Sequence, residues 1–153
     1  MSERIPYARL ARGAVKGMQA LGEYLSSSSI EPSLRHLIEV RASQLNGCAF
    51  CLDMHTKDAR ELGETEQRLY TVAAWREAPF FTDRERAALL WTETLTQLAN
   101  HPIPEDVRAK VRSAFNDQEF VDLTFAITTI NAWNRLALSF ETPAGSYKPE
   151  LAR

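Results

Sequence analysis

Cysteine is nearly absent from this chain. There are two in 153 residues, and both fall within the ten-residue stretch NGCAFCLDMH, Asn46 to His55. Two cysteines exclude a multi-disulfide scaffold, and a chain of this length can bury a respectable core without such staples. An excess of positive charge is also missing: 18 lysines and arginines stand against 20 acids, a formal net charge of −2. That removes the basic footprint on which nucleic-acid binding depends. No apolar run approaches the ~20 residues of a membrane span. The N-terminus MSERIPYARLARGAVKGMQALG lacks the continuous apolar segment of a secretory signal. The expectation is one domain over residues 1–153 at a cytoplasmic address, with no nucleic acid and no membrane. In that compartment a close cysteine pair serves catalysis, redox sensing or metal binding before it serves as a structural disulfide.

Alternating strand patterns and internal repeats are lacking as well, so the fold class is all-α. Helical spacing of apolar residues predicts a first helix over Tyr7–Leu25, where Gly13, Gly17 and Gly22 point to close backbone packing. Pro32, suited to a first helical position, opens a second helix that stops at Asn46-Gly47. A third runs from about Cys48 to Leu62 and a fourth from Thr65 to about Ala78. Thr82 and Glu85 match a capping box and start a fifth, to about Asn100. Pro104–Phe115 and Asp117–Phe140 are the sixth and seventh. The tail ETPAGSYKPELAR is expected to be irregular and to be available to a neighbouring subunit. In the last helix Thr124, Thr128, Asn131 and Arg135 form a polar stripe, expected to face a polar cavity or a subunit contact. Trp75, Trp91 and Trp133 read as core, Met54 as packing, and Tyr24 as a candidate acid near the second helix.

The chemistry-bearing group is Cys48, Cys51 and His55. Steps of three and four residues place all three within a sector of roughly 60° on a helix. Because Asn46-Gly47 ends the preceding helix, the cysteines fall in the first turn of the next, where free N–H groups and the helix dipole favour thiolate. On that ground alone Cys48 is the better nucleophile, being nearer the helix start. The i,i+4 spacing to His55 instead favours Cys51, with His55 as its acid/base partner. Two bland readings compete with a redox pair. Zinc would find three ligands here and lack a fourth, since the other histidines are His36 and His101 and there is no second Cys-X-X-Cys. The cysteines could also be inert core residues.

The segment LRHLIEVRASQLNGCAFCLDMHTKDARELG, Leu34 to Gly63, resembles the core motif of the AhpD-like alkylhydroperoxidases in the carboxymuconolactone decarboxylase superfamily. Weaker likeness continues through AAWREAPFFTDRERAALLWTETLT and INAWNRLALSF. The resemblance implies a helical bundle of six to seven helices that assembles as a trimer or hexamer. It implies that Cys51 attacks a hydroperoxide, that Cys48 resolves it as a disulfide, and that a dithiol or protein reductant, for example a peroxiredoxin partner, exchanges electrons with the pair. No metal, flavin or other cofactor is implied.

Two positions depart from the family pattern. The relay glutamate expected twelve residues before the first cysteine is His36 here, and the histidine expected inside the Cys-X-X-Cys is Phe50. His36 is therefore a candidate site residue beside Cys51, Cys48 and His55. Glu39, one turn from His36, either supplies the missing carboxylate or is a solvated surface acid. The loss of a relay member weakens the case for fast peroxidase turnover more than for dithiol chemistry. A disulfide reductase or adaptor and a non-enzymatic oligomeric redox sensor stand as alternatives.

Overall fold

In the computed structural model, which describes residues 5–99 and 101–149, the chain folds into helices with no strand among those residues. In chain order they are α1 (Tyr7–Leu10), α2 (Arg12–Ser26), α3 (Pro32–Asn46), α4 (Ala49–Glu61), α5 (Glu66–Thr71), α6 (Asp83–Thr96), α7 (Glu105–Ala114) and α8 (Asp117–Ser139). Helix α3 is the central element and packs against α4, α6 and α8. Its face built on Leu34 and Ile38, with Ile30 from the preceding loop, meets Trp91 of α6 and Leu123 and Ile127 of α8. Leu37 and Val40 turn to a second cluster with Leu69, Val72, Trp75 and Leu89. Each fully buried side chain of this kind contributes roughly 1.5–3 kcal/mol through removal of apolar surface from water.

The helix ends explain the frame. Gly47 lies in the left-handed region at φ 68°, which is open to glycine without the Cβ penalty. Its N–H donates to the carbonyl of Gln44 at 3.2 Å, and the N–H of Cys48 donates to that of Ser43 at 3.0 Å. The expected stop after Asn46 is therefore a hydrogen-bonded one. The capping box at α6 is present, with Thr82 Oγ1 accepting from the Glu85 N–H at 3.2 Å and Glu85 Oε2 accepting from the Thr82 N–H at 2.7 Å. Asn116 and Glu119 form a second box at the start of α8, not foreseen in the sequence.

Several expectations need correction. The first helix is interrupted at Ala11 (φ −115°, ψ 46°), so Tyr7 turns back and its ring stacks on Phe140 at 4.7 Å. Gly13, Gly17 and Gly22 allow no close approach: a Cβ at any of them would meet nothing within 4 Å. The fourth helix ends early, at Thr71, followed by a single 3₁₀ turn over Val72–Ala74. Arg86 ties down the segment that follows the turn. Its guanidinium donates to the carbonyls of Trp75 and Arg76 (3.0 Å each), Ala78 and Phe81 (2.9 Å), so those groups are satisfied without a helix. Helix α6 ends at Thr96; Asn100 lies outside the described residues.

One buried charge ties the layers together. Oε1 of Glu93 accepts from Trp75 Nε1 (2.8 Å) and from Arg41 Nε and Nη2 (2.8 and 2.7 Å), while Oε2 meets Arg76 Nη2 at 2.6 Å. Over residues 141–149 the tail is irregular as expected, and it docks on its own chain. The Gly145 N–H donates to Asp53 at 3.0 Å, Lys57 donates to the Tyr147 carbonyl at 3.0 Å, and the Tyr147 hydroxyl donates to Asp58 at 2.7 Å. Helix α4, which carries the motif, is thus held by α3 on one side and by the tail along another.

Candidate active site

Cys48 is the N-cap residue of α4 rather than a member of its first turn. Its backbone is extended, and its sulfur accepts a hydrogen bond from the Cys51 N–H at 3.4 Å. Both cysteines are free thiols and each is 1% exposed. They differ in what they face. Cys51 lines a cavity of about 630 Å³, whose other walls include Tyr7, Val15, Phe50, Met54, Ile130 and Trp133. Cys48 is not among the lining residues and packs with Ala42, Ile130 and Ala137.

The Cys51 thiol is not a resting thiolate. Burial pushes its pKa up to about 12, the neighbouring Cys48 thiol adds to the rise, and the Asn134 amide pulls weakly the other way. The helix N-terminus was expected to favour thiolate here. Burial outweighs that help, and the Cys51 N–H is shared with the Cys48 sulfur.

Glu39 is where the carboxylate comes from. Its side chain is 16% exposed, and its Oε2 lies 2.9 Å from Nδ1 of His36 and 3.0 Å from Nδ1 of His55. The surface alternative for Glu39 is overturned. Substituting His36 at the expected relay position therefore moves the carboxylate one turn along α3 instead of removing it. Burial alone would raise the Glu39 pKa, but His55 and then His36 outweigh it and hold the carboxyl well below the usual carboxylate range. The two contacts are short, yet neither ring N–H aims along the line to the oxygen, so Nδ1 of both histidines and Oε2 of Glu39 are left without an aligned hydrogen bond. Arg35 approaches the other oxygen, Oε1, at 3.7 Å.

The structure thus brings Cys51, His55 and Glu39 to one cavity, with Cys48 directly behind Cys51 and His36 behind Glu39. Other residues settle elsewhere. Asn134, fully buried, reaches the site: it donates to Ser43 Oγ at 3.0 Å and accepts from Asn46 at 2.8 Å, next to Cys51. Trp133 is a half-buried cavity wall rather than core, and Met54 is another wall; Trp75 and Trp91 are buried core. Tyr24 is removed from the site, its hydroxyl donating to Asp122 at 2.7 Å on the outer face. The polar stripe of α8 does not line the cavity. Thr124 and Asn131 bind inward, to Trp91 Nε1 (3.0 Å) and Thr96 (2.9 Å), while Thr128 and Arg135 are exposed. The cavity face of α8 carries Thr129, Ile130, Trp133 and Ala137.

A helical bundle that buries a Cys-X-X-Cys pair at a helix start, beside a His–Glu–His cluster and under an apolar cavity, defines a class of dithiol proteins. The model of the carboxymuconolactone decarboxylase family matches residues 13–94, more than half of the chain, and the chain belongs to that family, on its AhpD-like side. The uncharacterized protein YdfG of Bacillus subtilis (strain 168) is 42% identical over 146 residues, covering 95% of this chain and 99% of its own length. The crystal structure of ATU0492 from Agrobacterium tumefaciens superposes with a TM-score of 0.89 at 42% identity, over 94% of this chain and 99% of that one. ATU0492 is a protein of unknown function proposed as an antioxidant defence protein AhpD. An uncharacterized peroxidase-related protein from Silicibacter sp. TM1040 matches with a TM-score of 0.76 at 26% identity, over 86% of this chain and 70% of its own.

Proposed function

We propose that this chain is a thiol-dependent antioxidant oxidoreductase that reduces hydroperoxides through the Cys51–Cys48 pair. The observation that carries the reading is the meeting of Cys51, His55 and Glu39 in one cavity whose remaining walls are largely apolar. Such a pocket accepts the organic part of a hydroperoxide and presents its O–O bond to the thiol. The Cys51 proton passes to His55, held by Glu39, as the sulfur attacks the terminal oxygen. The O–O bond breaks, the other oxygen leaves as alcohol or water after taking that proton back, and Cys51 becomes a sulfenic acid. The Cys48 thiol then attacks the Cys51 sulfur, a disulfide forms and water leaves. Two electrons from a dithiol donor return the pair to thiols.

In this reading His36 is a positioning residue for Glu39. The raised Cys51 pKa fits a nucleophile that is deprotonated on demand and not stored as thiolate. The reading also carries the homo-oligomer expected from the family resemblance. Val121 and Phe125 stand exposed one turn apart on α8, in line with the exposed Thr128, and offer a subunit contact. No described helix is long and apolar enough to cross a membrane.

The test is direct. Reduced protein is mixed with an alkyl hydroperoxide and free thiols are counted. Wild type loses two thiols per chain with release of one alcohol; Cys51→Ser loses none. Unchanged thiols in wild type, or unchanged turnover in Cys51→Ser, refute the cycle.

A further inference from the structure

His36 has no proton to move in the cycle above, and its contact with Glu39 is poorly aligned for the purely hydrogen-bonding role given to it. Nδ1 of His36, Nδ1 of His55 and Oε2 of Glu39 lie within 4.8 Å of one another, are shielded from solvent and lack an aligned hydrogen bond. The two nitrogens stand 2.9 and 3.0 Å from that oxygen. Those separations also suit two ligand atoms on one ion. Metal–ligand bonds of about 2.0–2.1 Å place neighbouring ligand atoms about 2.9 Å apart around an octahedral ion and about 3.4 Å apart around a tetrahedral one.

We propose that His36, Glu39 and His55 form a binding site for a divalent transition-metal ion of the zinc class. Two imidazoles and one carboxylate are the donors that such ions take in preference to calcium or magnesium. The ligands come from rigid elements: His36 and Glu39 from one face of α3 at i,i+3, and His55 from the middle of α4. The direct packing of α4 on α3 sets the third ligand relative to the first two. Arg35 meets Oε1 and leaves Oε2 to the cluster. Glu39 and His55 both line the cavity, so an ion held by them would lie at its wall. This donor set differs from the Cys48, Cys51 and His55 set suggested by sequence spacing, because the cluster that meets at ligand distance contains neither sulfur.

The consequence for the thiol cycle is competition. An ion on Nδ1 of His55 and Oε2 of Glu39 occupies the groups that would take the Cys51 proton, so the metal-loaded protein is slow toward peroxide and chelation restores it.

The site is tested apart from thiol chemistry. Metal-free Cys48→Ser/Cys51→Ser protein is titrated with Co²⁺ and the visible d–d absorption is read. One equivalent is expected to bind saturably, and adding His36→Phe or Glu39→Gln in that background is expected to weaken binding by about a hundredfold or more. The proposal is overturned by the absence of a d–d band up to about 1 mM Co²⁺, by loss of binding in the double serine protein relative to wild type, or by binding that survives both ligand substitutions. Should Glu39→Gln not fold, thermal melts with Zn²⁺ decide. The double serine protein gains melting temperature and its His36→Phe derivative does not; equal gains refute the site. Peroxide oxidation is not a readout, so failure here leaves the proposed cycle standing, and failure of the cycle leaves the site standing.

Discussion

Cys51 is predicted to be a slow nucleophile toward any reagent that cannot use its neighbours. With its pKa pushed up to about 12, the thiolate fraction at pH 7.5 is about 3 × 10⁻⁵, against roughly a tenth for an unperturbed thiol of pKa ~8.5. That is a deficit of about 3,000-fold. A more basic thiolate is intrinsically more reactive, by a Brønsted slope of about 0.4–0.5, which returns about 40-fold over this span. The net expectation is alkylation about 80-fold slower than that of free cysteine, before the further hindrance of a sulfur only 1% exposed. The assay is iodoacetamide labelling of reduced, chelator-treated protein, with the Cys51 peptide quantified by mass spectrometry between pH 6 and 10. The rate is expected to climb about tenfold per pH unit with no plateau. Peroxide differs from iodoacetamide because its leaving oxygen takes up a proton, so the His55–Glu39 pair assists it. A labelling plateau below about pH 9, or labelling within a few-fold of free cysteine, would mean that Cys51 rests as an activated thiolate and that burial has been given too much weight.

Two other perturbations test the frame around the site. Glu93→Gln leaves Arg41 buried without its carboxylate, and urea unfolding should show a loss of about 3–5 kcal/mol. Burial would raise the Glu93 pKa, but Arg76, Trp75 and Arg41 together hold it below the ordinary value. Its stabilisation is therefore fully present above about pH 4.3 and is lost as pH falls through the lower folded value, so the wild-type advantage over Glu93→Gln should shrink below pH 4. Gly47→Ala meets no steric obstacle, because a Cβ there touches nothing within 4 Å, yet at φ 68° it should cost about 1–2 kcal/mol in the same assay. Gly47→Asn should cost less, and equal stability of the alanine variant and wild type would show that the α3–α4 junction can relax.

The junction itself was legible because everything that sets it is local. Pro32 and Asn46-Gly47 act over one or two helical turns and the structure keeps both, while of Cys48, Cys51 and His55 only the last two share the cavity face, because Cys48 caps α4. Glu39 was legible only as a position: its spacing from His36 placed it on the right face, but its burial depends on α4 crossing α3 at His55. The cavity was not legible. Tyr7, Val15 and Trp133 become neighbours through the break at Ala11 and the packing of α2 on α8, contacts of long sequence separation with no local signal. The segment after α5 is similar, since its carbonyls are held by Arg86 of α6. The α8 stripe divides because polar side chains at helical spacing need not share one environment. Two of its four members point into the α6 contact and two to solvent.

The sulfur of Cys48 has a second employment as the acceptor for a first-turn amide of α4, that of Cys51. Disulfide formation would draw that sulfur toward Cys51 and make it a weaker acceptor, so the Cys51 amide would lose its partner at the moment the thiols lose their protons. The oxidation state is then written into the backbone as well as the side chains. A single amide resonance, that of Cys51, would report turnover in the intact protein, with no dye, no thiol reagent and no coupled reductase.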